Sequence, residues 1–268
     1  MEFIEMRDGY EIWYREDPVE KPKGIIVITH GFAEHASRYD HVARHLNRYG
    51  YHVVRYDLRG HGRNRDRGHL DRFESYLEDL EEIVGKVAQK YPDVPLITFG
   101  HSMGGLITAI FGIENPEMSC AQILSGPALG SLPSAEKLKP GTMKILSQIA
   151  GGIKLKNPVG EGICGKRQVY IDYINDPLVL HRASLRLYYQ FLFRGVELLG
   201  EGAKRYRLPC LVVHGKEDPI VPVEISSWFH EEIPSQKKDL IVYDGLYHEI
   251  LNEDEWESIL RDITDWLG

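Results

Sequence analysis

Leu96-Ile97-Thr98-Phe99 runs straight into Gly100-His101-Ser102-Met103-Gly104-Gly105, and the chain then continues in an apolar pattern to Glu114. A short, nearly continuous apolar run reads as a strand buried on both faces, and the longer run after it reads as a helix. G-x-S-x-G patterns are common, but one placed between a buried strand and a helix marks a turn that presents a nucleophile. Such a turn is tight enough to strain the serine and to make flanking side chains collide. Glycines at 100 and 104 remove those collisions. Ser102 then projects above the carboxyl edge of the sheet, where open α/β sheets bind their ligands.

The same alternation of strand and helix extends to both sides of this turn. Ile25 to Thr29, Tyr51 to Asp57, Ala121 to Ser125, Cys210 to His214 and Asp239 to Tyr243 read as further strands. Helical patterns lie at Tyr39 to Tyr49, Arg72 to Gln89, Val223 to Ile233 and Glu253 to Leu267. The order calls for an α/β fold, with a mostly parallel central sheet and helices on both faces. Asp8-Gly9, between Phe3 to Met6 and Tyr10 to Arg15, predicts an antiparallel hairpin at the start of that sheet. One stretch breaks the rhythm. From Gly126 onward no core strand appears until Cys210, far beyond a normal connection, yet the stretch is too apolar to be disordered. It predicts a helical cap over 126–206, inserted into a core formed by 1–125 and 207–268.

The chain has 268 residues, 43% of them hydrophobic and 27% charged, enough to bury a large core. A diffuse net charge of -8 disfavours nucleic acid as a partner, because phosphates need clustered Lys and Arg. No run approaches the ~18 apolar residues of a membrane span, and no signal peptide is visible, so a cytoplasmic location is expected. Cys120, Cys164 and Cys210 lack metal-type spacing and read as free, buried thiols. Neither a metal nor a cofactor is expected.

A serine hydroxyl needs a base. Of the histidines after Ser102, His181 lies in the predicted cap, His214 ends a strand before Gly215, and His230 sits in a helical pattern. His248 follows the last strand, on the same edge of the sheet as Ser102, and is the candidate base. The base needs an acid to hold its tautomer. Asp218, in Gly215-Lys216-Glu217-Asp218-Pro219, follows another strand at that edge, with Glu217 and Asp244 as rivals. Catalytic candidates are therefore Ser102, Asp218 and His248. An oxyanion needs preorganised N–H donors. The backbone N–H of Met103, at a helix start, is one candidate, and that of Phe32, in the loop after Thr29, is the other.

Several segments together resemble the monoacylglycerol lipases, with their lysophospholipase relatives, inside the α/β-hydrolase superfamily. They are His30-Gly31-Phe32-Ala33-Glu34-His35-Ala36-Ser37-Arg38-Tyr39, Gly60-His61-Gly62, Gly100 to Gly105, Asp172 to Pro177, Gly215 to Asp218, and Tyr247-His248. The resemblance implies a cap over an apolar acyl tunnel, no cofactor, and hydrolysis of a small lipid ester, monoacylglycerol, to glycerol and fatty acid. It also implies that Tyr173 offers its hydroxyl to the glycerol head group, and it places His35 and Arg38 either at the entrance or in structural hydrogen bonds. Asn64 and Ile174-Asn175 depart from the family pattern. A broader carboxylesterase or lysophospholipase uses the same chemistry. A lipid-binding receptor of the same fold would be free to lose one of Ser102, Asp218 and His248.

Between Glu136 and Arg167 there are seven Lys and Arg against two Glu. Thr142 is placed to cap a short helix whose apolar side carries Met143, Ile145, Leu146 and Ile149, ending at Gly151-Gly152. An apolar face rimmed by lysine predicts peripheral contact with a membrane or micelle surface.

Overall fold

A computed structural model describes residues 2–268. Its strands are β1 (Glu2–Glu5), β2 (Glu11–Asp17), β3 (Gly24–Thr29), β4 (Tyr51–Tyr56), β5 (Leu96–His101) and β6 (Ala121–Ser125). These are followed by β7 (Lys154–Lys156), β8 (Arg182–Ser184), β9 (Cys210–Gly215) and β10 (Lys238–Tyr243). Eight strands form one sheet in the order β1-β2-β4-β3-β5-β6-β9-β10. Pairing is antiparallel between β1, β2 and β4 and parallel everywhere else.

Strand period two divides the core between the sheet faces. Ile25 and Val27 point to one face, while Ile26 and Ile28 point to the other. Helices α1 (Asp40–Arg48), α2 (Glu74–Lys90) and α3 (Met103–Glu114) follow their strands. The second face is covered by Val42 and Leu46 of α1 and by Ile259, Leu260 and Ile263 of the last helix, 256–267. Leu80 of α2 and Leu106 and Ile110 of α3 cover the first. A fully packed residue such as Ile263 contributes about 2–5 kcal/mol against truncation to Ala. Arg55 on β4 is fully buried; it donates to Asp17 at 2.9 and 2.6 Å, to Asp40 and to the Ala36 carbonyl.

The stretch between β6 and β9 carries α4 (Pro140–Ile149), α5 (Arg167–Asn175), α6 (Leu185–Tyr189), a wide π-type run Gln190–Gly195 and α7 (Val196–Gly202). After it come α8 (Val223–Glu232) and α9 (Trp256–Leu267). The expectation of a purely helical insertion is corrected: β7 and β8 pair antiparallel as a separate small sheet. At three residues each, neither is long enough to show alternation. Thr142 is not a cap either. The helix begins at Pro140 with Lys139 at the N-cap, because proline's fixed φ and missing N–H suit the first helical position.

The insertion is uneven. Leu187 and Leu199 join the main core cluster, whereas Ile145 and Ile149 on α4 are 59% and 77% exposed. Cys120 is another departure, for it is exposed while Cys164 and Cys210 are buried. It stands one residue before β6, outside the sheet interior. Among the described residues, no helix is long and apolar enough to cross a membrane.

Candidate active site

The turn from β5 into α3 sets the site. Ser102 has φ +54° and ψ -118°, a conformation that L side chains adopt only when the surroundings impose it. Its N–H donates to the Ser125 carbonyl at 3.0 Å, and its carbonyl accepts from the Ala128 and Leu106 N–H groups. A Cβ on Gly100 would lie 2.3 Å from the Gly104 carbonyl oxygen, and one on Gly104 would lie 2.2 Å from that of Thr29. Only hydrogen fits at either position.

Asp218 and His248 come from loops after β9 and β10, at the same sheet edge. His248 Nδ1 and Asp218 Oδ2 are 2.6 Å apart. Asp218 Oδ1 accepts from the Ile220 and Val221 N–H groups at 2.8 and 2.9 Å. Its Oδ2 also lies 3.1 Å from Nε2 of buried His214. Burial alone would raise the Asp218 carboxyl. The His248 charge and hydrogen bonds from His214, His248 and the Val221 N–H outweigh it and hold the group well below the usual range. His248 shows the converse. Burial disfavours its charge, but Asp218, with smaller contributions from Glu249 and Glu34, raises its pKa above 6.5. With Nδ1 committed to Asp218, Nε2 has no partner among the described residues, and His248 and Ser102 line one cavity. The rivals are elsewhere: Asp244 pairs with Lys216 on the surface, and Glu217 is exposed.

The N–H groups of Phe32 and Met103 have no protein acceptor among the described residues. The Phe32 loop is held rigidly. Glu34 Oε1 accepts the Gly31 N–H at 2.6 Å and the Tyr39 hydroxyl at 2.8 Å. Ala33 takes φ +67°, and its carbonyl accepts the Leu180 N–H of the inserted segment at 2.8 Å. The Phe32 ring stacks on Phe191 of the π-type run, so its side chain packs while its backbone N–H is left without an acceptor among the described residues.

The cavity has a volume of about 240 Å³, and Leu132, Met143, Val159, Ile163, Phe191 and Leu192 make it apolar. Its polar end carries Ser102, His101, His248, Glu249 and Tyr173. The Tyr173 hydroxyl accepts from Asn157 Nδ2 at 2.9 Å and retains its own hydrogen to donate. His35, a candidate for the entrance, is not on this wall. It pairs with Asp176 at 2.9 Å and ties the Phe32 loop to the end of α5.

Two residues of the site were not anticipated. His101 is buried, lies 3.0 Å from the Ser125 carbonyl through Nδ1, and tilts over His248 with ring centroids 4.7 Å apart. Burial first, then the His248 charge, pushes its pKa down to about 3, so it is neutral. Glu249 receives both guanidinium nitrogens of Arg38, at 2.8 and 2.6 Å. Their only trace in the sequence is adjacency to Ser102 and to His248.

A parallel sheet with a serine on a strained strand-to-helix turn, followed in chain order by an aspartate and a histidine at the same edge, defines an α/β-hydrolase. The chain belongs to the Hydrolase_4 family (Serine aminopeptidase, S33), which matches residues 20–255, and it is a serine hydrolase. It is 35% identical over 263 residues to the monoacylglycerol lipase of Mycolicibacterium smegmatis, covering 98% of this chain and 93% of that protein. It is 32% identical over 249 residues to the phospholipase YtpA of Bacillus subtilis, covering 90% and 94%. Among solved structures, the monoacylglycerol lipase of Paleococcus ferrophilus superposes with a TM-score of 0.86 at 29% identity, covering 96% and 98%.

Proposed function

We propose that this protein hydrolyses monoacylglycerols through an acyl-enzyme on Ser102. The reading is carried by the His248–Asp218 pair, with His248 sharing one largely apolar cavity with Ser102 and Phe32. Ser102 Oγ attacks the ester carbonyl while His248 Nε2 takes its proton. The Phe32 and Met103 N–H groups receive the oxyanion, each worth about 10²–10³ in rate. Protonated His248 then gives its proton to the departing glycerol oxygen, and water repeats the sequence on the acyl-enzyme.

The apolar walls suit an acyl chain, and the Tyr173 hydroxyl suits a glycerol hydroxyl. We take 126–206 as the cap over this cavity. On α4, Ile145, Leu146 and Ile149 are exposed beside Lys139 and Lys144, and Leu155 and Lys156 reach the cavity wall. This face docks on lipid surfaces, so that substrate enters without crossing water. The name of the Mycolicibacterium relative supports the substrate.

A phospholipase reading is favoured by the Bacillus relative but opposed by Glu249. A phosphate here would meet a carboxylate, and the nearby Arg38 is already committed to it. An aminopeptidase needs a free carboxylate for its substrate's ammonium group, and the same pairing removes it.

The test compares initial rates on monoacylglycerol, lysophosphatidylcholine of the same acyl chain and an aminoacyl anilide, for wild type and Ser102→Ala. We expect monoacylglycerol to be preferred and Ser102→Ala to be inert apart from roughly 10³-fold residual catalysis over water. The kcat/KM of wild type should rise with pH through a limb lying higher than an ordinary histidine's, because Asp218 holds the proton that His248 must lose. A preferred phospholipid or anilide would overturn the substrate, and an active Ser102→Ala would overturn the chemistry.

A further inference from the structure

Arg38 and Glu249 stand 211 positions apart in sequence and meet beside the cavity. The Arg38 guanidinium, whose side chain is 12% exposed, donates both terminal nitrogens to Glu249, the residue after His248. Its Nη1 also lies 3.6 Å from Oε2 of Glu34. The other Glu34 oxygen holds the Gly31 N–H, one residue before Phe32. Glu249 is fixed from two more sides: its own N–H donates to the Ile163 carbonyl at 2.7 Å, and Asn252 donates to Oε2 at 2.8 Å. The guanidinium lies over the Tyr173 ring, 5.0 Å from its centroid.

We propose that Arg38 and Glu249 are positioning residues for the reaction: the Glu34–Arg38–Glu249 bridge locks the loop that carries the Phe32 N–H to the loop that carries His248. The oxyanion donor and the base must keep a fixed separation across Ser102, yet no strand or helix joins their loops. A planar fork with two parallel hydrogen bonds fixes orientation as well as distance. Buried ion pairs give little net stability, so the value of this one lies in its geometry. The bridge also sets charge beside the base. His248 faces Asp218 from the loop after β9, His101 from the end of β5, Glu249 from its own loop, and Glu34 and Arg38 from the segment before α1. Removing one carboxylate or the one cation must shift its titration in opposite directions.

The proposal rests on the hydrolase reading of Ser102, so Ser102→Ala accompanies Arg38→Lys, Arg38→Met and Glu249→Gln. Rates on a p-nitrophenyl ester are expressed per active site for the forms that keep Ser102, counted by complete fluorophosphonate labelling, which corrects for misfolded protein, and per mole of protein for Ser102→Ala. We expect kcat to fall about 10- to 100-fold with KM changed less than about 3-fold, and Lys not to rescue, because a point charge cannot span both oxygens. Glu249→Gln should move the acid limb of kcat/KM to lower pH and Arg38→Met should move it to higher pH. An unchanged kcat per site, a loss confined to KM, or limbs that stay in place would overturn the bridge. If Ser102→Ala is inert while the bridge variants keep full rates, only the bridge falls. If Ser102→Ala is active, the hydrolase reading falls first.

Discussion

Helix α3 starts directly after Ser102, and α4 contributes Met143 to the wall of the same cavity. In α3 every residue except Glu114 is buried, and the helix has no polar face. In α4 only Met143 and Ser147 are buried. Helix α3 is wedged between β5, β6 and α7, so its orientation, and that of the Met103 N–H at its start, is fixed by packing on all sides. Helix α4 is held by buried Met143 and Ser147, by packing against α6, and by a hydrogen bond from Arg186 Nε to the Ser147 carbonyl at 3.2 Å. On the proposed reading of 126–206 as a cap, a platform buried on all sides and a largely exposed cover suit a lipid hydrolase. The chemistry demands sub-ångström precision, and access demands an element that moves at little cost.

The sharpest way to break the comparison is to add one methyl group to each helix. Gly104→Ala places a Cβ 2.2 Å from the backbone oxygen of Thr29, which cannot yield without separating α3 from β3. We expect a loss of about 4 kcal/mol or more in urea unfolding, at the severe end of single substitutions. A stability close to wild type would show that α3 is not clamped. Ile145→Ser/Leu146→Ser on α4 should leave unfolding within about 0.5 kcal/mol. It should weaken co-sedimentation with anionic vesicles by on the order of 2 kcal/mol, roughly thirty-fold. Vesicle binding equal to wild type would remove the docking role of α4. The smallest effect belongs to Gly141→Ala, where a Cβ meets nothing within 4 Å. Alanine there should stabilise the protein by about 0.5–1 kcal/mol, read as a rise in unfolding midpoint.

The contrast between the helices also marks what the sequence makes legible. Strands β3, β5, β6 and β9 are buried throughout and built around short apolar runs, and their ends fall within about a residue of the expected positions. Ser102, Asp218 and His248 could be singled out because each follows a strand in a fixed chain order, and the structure gathers all three at one sheet edge. Other features carry no local signal. Strands β7 and β8 are too short for a period, and Cys120, one residue before β6, carries no sign of whether its side chain is covered. The proline at position 140 outweighs Thr142 as a start signal, although both lie in one polar run. Arg55, His35 and the Arg38–Glu249 bridge are defined by partners distant in sequence, and only the closed fold reveals that such charged groups are paired. His101 looks like a spacer within a motif, yet it is a neutral ring packed against His248.

Cys120 has a practical consequence. It precedes β6, whereas Ser102 follows β5, and the two strands run parallel, so the thiol and the nucleophile lie at opposite edges of the sheet. Cys164 and Cys210 are buried, and desolvation pushes both up to about 12. Partial burial also raises Cys120, so a maleimide should react with it slowly at neutral pH and faster as pH rises. A support that captures the protein through this thiol would hold every molecule with the Ser102 edge of its sheet facing away from the resin, toward an emulsion droplet.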